Sequence, residues 1–202
     1  MSPALKEWDV AINALAEGET IMLLRKGGIR EVNGTFEVPH RDVWLYPTYE
    51  HQKPNLLKPE YAKQIQPVDS GWHPESVMIR ARATITHVIE VTEPEVVDAL
   101  VPFHIWTSDF ATERFRWKPR SPLYILLLRV YRLPNIITIP FDDAYRGCKS
   151  WMTLMLPQDA QPLDTALNAE PVLTDAEYQT QVNAIQQIIH SDVMVEAPDM
   201  SR

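Results

Sequence analysis

Between residues 77 and 91 the chain alternates. Val77, Ile79, Ala81, Ala83, Ile85, Ile89 and Val91 occupy one set of positions, and Met78, Arg80, Arg82, Thr84, Thr86 and Glu90 fill the other. A period of two sends one set to a buried face and the other to solvent, so this stretch predicts a half-buried strand. His87 falls in the apolar row. Such a length is unusual for one strand, which is therefore expected to bend or curl around a barrel. Residues 20–25 and 123–132 are apolar on both faces and predict buried strands, the second carrying Arg129 at the end of its row. Residues 43–46 predict a strand stopped by Pro47. Residues 136–139 extend the 123–132 strand or pair with it, and 151–156 form a last strand. Residues 29–32 and 35–38 flank Asn33-Gly34, a strong hairpin signal.

Helical spacing is rarer. Ala4, Leu5, Trp8, Ala11, Ile12 and Leu15 recur at i, i+3, i+4, which predicts a helix over 3–17 with Ser2 as N-cap, Pro3 at N1 and Gly18 just past its end. Thr92-Glu93-Pro94-Glu95 reads as a capping box opening a helix to about residue 101. Thr174-Asp175-Ala176-Glu177 is a second box, and Tyr178, Val182, Ile185 and Ile189 carry its helix over about 175–190. Residues 53–76 hold Pro54, Pro59, Pro67, Gly71 and Pro74 and predict a long loop with one helical turn near 59–65. Residues 102–121 read as an aromatic and basic connection.

The elements imply an α+β fold: a curved, mainly antiparallel sheet or a small pseudo-barrel, with an N-terminal helix and a C-terminal helical appendage. From Pro157 the composition shifts to Gln, Asp, Ala and Pro. The division expected is a core over 1–157, then an acidic linker, helix and frayed tail over 158–202. The apolar stripe of that helix needs a cover, either the core or a second subunit, so a homodimer through it is one expected partner state.

Composition changes this picture in two ways. The net charge of −8 is not spread evenly. Residues 1–157 carry 19 acidic against 18 basic groups, whereas 158–202 carry 8 against 1, so the core is nearly neutral. A neutral core with local Arg/Lys clusters can bind an anion but lacks the overall basicity of a dedicated duplex-DNA binder. The single cysteine, Cys148, excludes an internal disulfide framework and fits a reducing compartment. No apolar run is long enough to span a bilayer. A cytoplasmic protein without membrane contact is expected.

Two run ends concentrate functional groups. Tyr46, Tyr49, Glu50, His51 and Gln52 follow the 43–46 run, and Arg25-Lys26-Gly27-Gly28 follow the 20–25 run. The first group suits a ligand clamp, a base or metal-ligand pair in Glu50 and His51, or simply a capped turn. The second resembles an anion seat, cations beside glycines, or a solvated hairpin corner. We expect both ends to face one cleft. Trp106, Arg116, Trp117, Lys118 and Arg120 mix π faces with cations, which suits stacking on a base and neutralising a phosphate, or plain packing under a loop. Arg129 needs a partner carboxylate, with Glu50 one candidate.

Three classes of function follow. The first is a binding domain for an anionic ligand, nucleic acid or nucleotide, using Arg25, Lys26, Tyr46, Tyr49, Glu50, His51, Gln52, Trp106, Arg116, Trp117, Lys118 and Arg129, with no cofactor or metal. The second is a nuclease or phosphodiesterase using Glu50 and Mg²⁺ or Mn²⁺, with Glu7, Glu37 or Asp42 as second carboxylate. The third is a protein-interaction scaffold. No Walker, zinc, serine-elbow or kinase signature is present.

Four segments, Ala4-Leu5-Lys6-Glu7-Trp8, Leu23-Leu24-Arg25-Lys26-Gly27-Gly28-Ile29, Tyr46-Pro47-Thr48-Tyr49-Glu50-His51-Gln52 and Gly147-Cys148-Lys149-Ser150-Trp151, resemble the bacterial family called domain of unknown function 1802. That resemblance covers about residues 4–156 and implies no activity. A looser likeness is to the PUA, ASCH and EVE barrels, carried by an early helix and strand, a long strand, an aromatic connection and the run 123–130. It implies binding of RNA or modified bases, by fold analogy only.

Overall fold

The computed structural model describes residues 2–26, 30–32, 35–116, 122–147, 149–157 and 169–193. In chain order the elements are β1 (Ser2–Trp8), α1 (Asp9–Glu17), β2 (Met22–Arg25), β3 (Arg30–Val32), β4 (Thr35–Glu37), β5 (Asp42–Thr48), α2 (Pro59–Ala62), β6 (Ser76–Val91), α3 (Pro94–Ala99), α4 (Ser108–Arg116), β7 (Leu123–Pro140), β8 (Trp151–Leu154), β9 (Glu170–Pro171) and α5 (Asp175–Val193). The main sheet runs β2-β7-β6-β5-β1-β8, and β9 adds to β7. It is an open, largely antiparallel sheet in which β1 and β5 run parallel. The β3–β4 hairpin pairs Val32 with Thr35 and forms a small sheet of its own.

The β6–β7 ribbon is the spine, in register from Ser76↔Pro140 to Val91↔Leu123. Two irregularities bend it. Ile79 pairs with Ile137 and Ala81 with Arg132, so Leu133, Pro134, Asn135 and Ile136 stand opposite Arg80 alone. Ile85 pairs with Leu128 and His87 with Leu127, leaving Thr86 as the extra residue. Extra residues sharpen local twist and re-aim side chains. They account for the curvature expected of so long a strand. They also move His87 from the buried row to a half-buried position.

Side chains divide between two cores, by alternation on β1 and β5, whereas the odd positions of β6 pass from the smaller core to the larger between Ile79 and Ala81. Leu5, Val43, Leu45, Ala83 and Ile85 join a large cluster with α1, α3, α4 and α5, while Ala4, Trp44, Tyr46, Val77 and Ile79 join a smaller one with Tyr145 and Leu154. In α5 the expected stripe is buried: Tyr178, Val182, Ile185 and Ile189 all pack within the large cluster. Its capping box is formed, with the Thr174 amide donating to Glu177 at 2.8 Å and the Glu177 amide to Thr174 Oγ1 at 3.2 Å. Among the described residues no helix is long and apolar enough to cross a membrane.

Several expectations need correction. Residues 2–8 are a strand, and the first helix begins only at Asp9. Ala4 and Leu5 are buried on opposite sheet faces, a demand that overrides their helical spacing. Pro47 does not stop β5. That strand pairs with β6 only over Asp42–Trp44, so beyond Trp44 one side needs no N–H, and proline is tolerated there. At Thr92 no capping box forms: Glu93 is the N-cap, without a side-chain cap bond, and Thr92 bonds the Glu93 carboxylate instead. The 102–121 connection contains α4. β8 ends at Leu154 rather than 156, and the short β9 carries no sequence signal.

Candidate functional site

The junction between β1 and α1 gathers most of the chemistry. The first turn of a helix leaves amide donors open. Here Trp8 is the N-cap and supplies no side-chain bond; the Val10 amide donates instead to Gln52 Oε1 at 3.2 Å. Gln52 Nε2 turns back to the Tyr49 carbonyl at 3.3 Å. On the other side, Glu7 accepts from the Trp8 amide at 2.9 Å and from Arg25 at 2.5 Å. Arg25 also donates to the Lys6 carbonyl at 3.1 Å. The two run ends therefore reach one junction, Arg25 through Glu7 and Gln52 through Val10.

Lys26 extends this corner to α4. Its side chain is buried, and its ammonium donates to the carbonyls of Arg114 at 2.7 Å and Phe115 at 3.0 Å. Carbonyls at a helix C-terminus attract a cation. Arg114, whose electrostatic neighbours include Glu7 and Arg25, lies 4.7 Å over the Phe110 ring. Phe110 in turn stacks on Trp106 at 4.9 Å and meets Trp8 edge-on at 6.4 Å. Arg25 and Arg114 thus share Glu7 as a charged neighbour, and Lys26 lies beside Arg114. Glu113, which also acts on Arg114, forms an exposed pair with Lys53 at 3.4 Å. Burial, then the nearby Arg114, pushes the Lys26 ammonium below the ordinary lysine range. Arg114 is lowered too, first by burial.

The 46–52 stretch divides its groups. Tyr46 is buried 5.5 Å from Tyr145, and its hydroxyl is raised by burial and by that neighbour. Tyr49 is half-buried edge-on against Trp72 at 6.0 Å; burial and then Asp9 raise its hydroxyl. Arg80 binds Asp9 at 3.2 Å and also bonds Asn13. Burial raises the Asp9 carboxyl in spite of Arg80. Glu50 accepts the Gly71 amide at 2.5 Å and so pins the proline-rich loop. His51 is exposed, with φ of 61°, the left-handed conformation of a tight turn. Glu50 and His51 do not converge on one atom.

Other candidates lie elsewhere. Trp106 is a core residue. Arg116 is exposed at the end of α4, one residue past the Phe115 carbonyl that Lys26 binds, while Trp117, Lys118 and Arg120 lie outside the described residues, as does Cys148. Arg129 is paired not with Glu50 but with Asp175 at 2.7 Å and with the Thr174 carbonyl at 3.3 Å. For the metal alternative, Glu7 is held by Arg25, Glu50 by Gly71, and Asp42 accepts from Thr84 at 2.6 Å. The side chain of Glu37 lies outside the described residues. Among those described, no group of three or more His, Cys, Asp or Glu is placed to hold a metal ion. Sequence reading missed Arg114, Asp9 and Arg80. The four-residue spacing of Phe110 and Arg114 on one helix face was a usable signal for the first.

The chain belongs to the family described as a domain of unknown function (DUF1802), which matches residues 4–184. No curated protein is significantly similar to it. Solved structures similar to it include two single-substitution variants of an ASCH protein from Zymomonas mobilis. The serine-to-alanine variant shares 10% identity, covering 91% of this chain and 95% of its own, with a TM-score of 0.44. The tyrosine-to-phenylalanine variant also shares 10% identity, covering 90% and 96%, with a TM-score of 0.43.

Proposed function

We propose that this chain is a non-catalytic binding domain for an anionic ligand, a nucleic acid or nucleotide, seated where β2, the β1–α1 junction and the end of α4 meet. The observation that carries this reading is the grouping of Arg25, Lys26 and Arg114 at this corner. Arg25, Lys26 and Arg114 lie together in a partly desolvated corner, where the described carboxylates acting on Arg114 are Glu7 and Glu113. Like charges brought together away from water repel, and the arrangement is relieved when an external anion enters. Exposed Arg116 adds charge at the end of α4, and the half-exposed Trp72, propped against Tyr49, supplies a face for a base.

The test is binding of single-stranded RNA, single-stranded DNA and mononucleotides across a salt series, with and without Mg²⁺ or Mn²⁺. Affinity that falls with salt, with strands left intact, is the expected result. Arg25→Gln weakens it by roughly tenfold, the loss of one charge-assisted hydrogen bond. Metal-dependent cleavage lost in Glu50→Gln would replace this reading with the phosphodiesterase. Absence of both binding and cleavage would leave the interaction scaffold.

A further inference from the structure

One transverse row crosses the sheet on the face of the smaller core. Ala4 pairs with Trp44, Trp44 with Arg82 and Arg82 with Tyr131. Residues directly opposite one another project from the same face and touch. In this row the hydrogen-bond accounts do not close. Trp44 is 1% exposed, yet its indole Nε1–H has no acceptor among the described residues. Its cross-strand neighbour Arg82 carries a buried Nε–H that is likewise without a partner. The Arg82 guanidinium lies 4.0 Å over the Tyr131 ring, and among the described residues its Nε–H has no acceptor.

Each feature alone has an ordinary reading; together they point one way. Buried donors in folded proteins nearly always find acceptors. A guanidinium over a phenol ring is common, but a half-buried one usually also meets a carboxylate. The neighbouring row shows that contrast. Arg129, two residues before Tyr131 and 6.0 Å from the same ring, has Asp175, and Asp42 is engaged by Thr84. Among the described residues nothing equivalent reaches Arg82. Because no hydrogen bond of the Arg82 head is described, the head can lift from the ring without breaking one.

We propose that Trp44 and Arg82 form an oxyanion-binding subsite on this sheet face, the indole Nε1–H and the guanidinium donors converging on one carboxylate or phosphate group. Both nitrogens are closed to solvent in the unliganded arrangement. Entry therefore requires a rearrangement, and a swing of Arg82 off Tyr131 exposes its Nε edge on the strand position opposite Trp44. The planar Nε/Nη edge of arginine takes two oxygens side by side, and a neutral indole donor adds direction without charge. The subsite does not rest on the corner at Glu7 or on any base-stacking surface.

The side-chain N–H signals report on it directly. In ¹⁵N-labelled protein, the Trp44 indole and Arg82 Nε–H resonances, identified with Trp44→Phe and Arg82→Lys, are followed during titration with inorganic phosphate, with acetate and with chloride as control. The expected result is that both resonances shift together and saturate with phosphate, acetate or both, and not with chloride. The two arms then decide between phosphate and carboxylate. Arg82→Gln abolishes the saturable Trp44 response while the backbone amide spectrum is retained, and Arg82→Lys, which keeps the charge but loses the planar edge, weakens it by roughly tenfold. Arg25→Gln leaves it unchanged, which separates this subsite from the proposed nucleotide corner. Resonances that stay still or drift without saturating overturn the proposal. So does a Trp44 indole in contact with a long-lived water and indifferent to anions, since that water would be the missing acceptor.

Discussion

The Tyr178 hydroxyl lies 2.5 Å from Thr86 Oγ1, the extra residue of the second β6 irregularity. Thr86 in turn donates to the Leu127 carbonyl at 3.1 Å. The bulge thus aims a hydroxyl at α5 that a regular strand would keep in its row. Tyr178→Phe removes one partly buried hydrogen bond and is expected to cost about 1 kcal/mol in urea unfolding. In a double-mutant cycle with Thr86→Val the two losses should not add, since they share the bond.

Packing of α5 is expected to contribute more than its cap. Ile185 is fully buried, and Ile185→Ala should lower stability by roughly 2–5 kcal/mol, as large-to-small core changes do. Thr174→Ala, which breaks the capping box, should cost about 1 kcal/mol. Thermal melts of both variants check the ranking; equal losses would mean that the helix is held by its first turn.

Acid should destabilise the protein through His104. This imidazole is buried, accepts from the Trp106 amide at 3.3 Å, and lies 3.3 Å from the Val97 carbonyl. Burial pushes its pKa down to about 4. The unfolded chain takes a proton near pH 6.5 that the native state refuses until about pH 4. The stability contributed by neutral His104 is whole above pH 6.5 and is lost as pH falls through that window, in total by roughly 3 kcal/mol. The difference in urea midpoint between wild type and His104→Asn, followed from pH 7.5 to pH 4, should shrink accordingly.

Gly18→Ala should destabilise by roughly 1–3 kcal/mol. Gly18 has φ of +76°, and a Cβ there would sit 3.0 Å from Leu173 Cδ2 and 3.1 Å from Val172 Cγ1. Strain and crowding act together at the point where the end of α1 meets the approach to α5. Calorimetry should show a lower melting temperature with secondary structure preserved.

What could be read from the sequence was what local chemistry decides. The 77–91 alternation, the hairpin on either side of Asn33-Gly34 and the Thr174 box each specify structure within a few residues, and each formed. Residues 2–8 were misread because their strand depends on partners near residues 44–48 and 151–154, which helical spacing cannot reveal. The site divides in the same way. The clustering of Arg25 and Lys26 was visible. That Glu7 would hold one and the carbonyl end of α4 the other depends on contacts 18 and 88 residues apart. The need of Arg129 for a carboxylate was legible, but Asp175 comes from a helix whose place on the core had no sequence signal.

The place of β1 bears on how the chain is made. It lies between β5, which appears early in synthesis, and β8, near the end of the sheet-forming sequence. A ribosome that has released β1 through β5 has delivered a parallel pair whose outer edge stays open until residues 151–154 emerge. An unpaired edge invites association with other strands, and pairing between distant segments closes slowly. Nascent chains halted just before β8 should therefore be the species most in need of a holding chaperone, and those halted just after it should not.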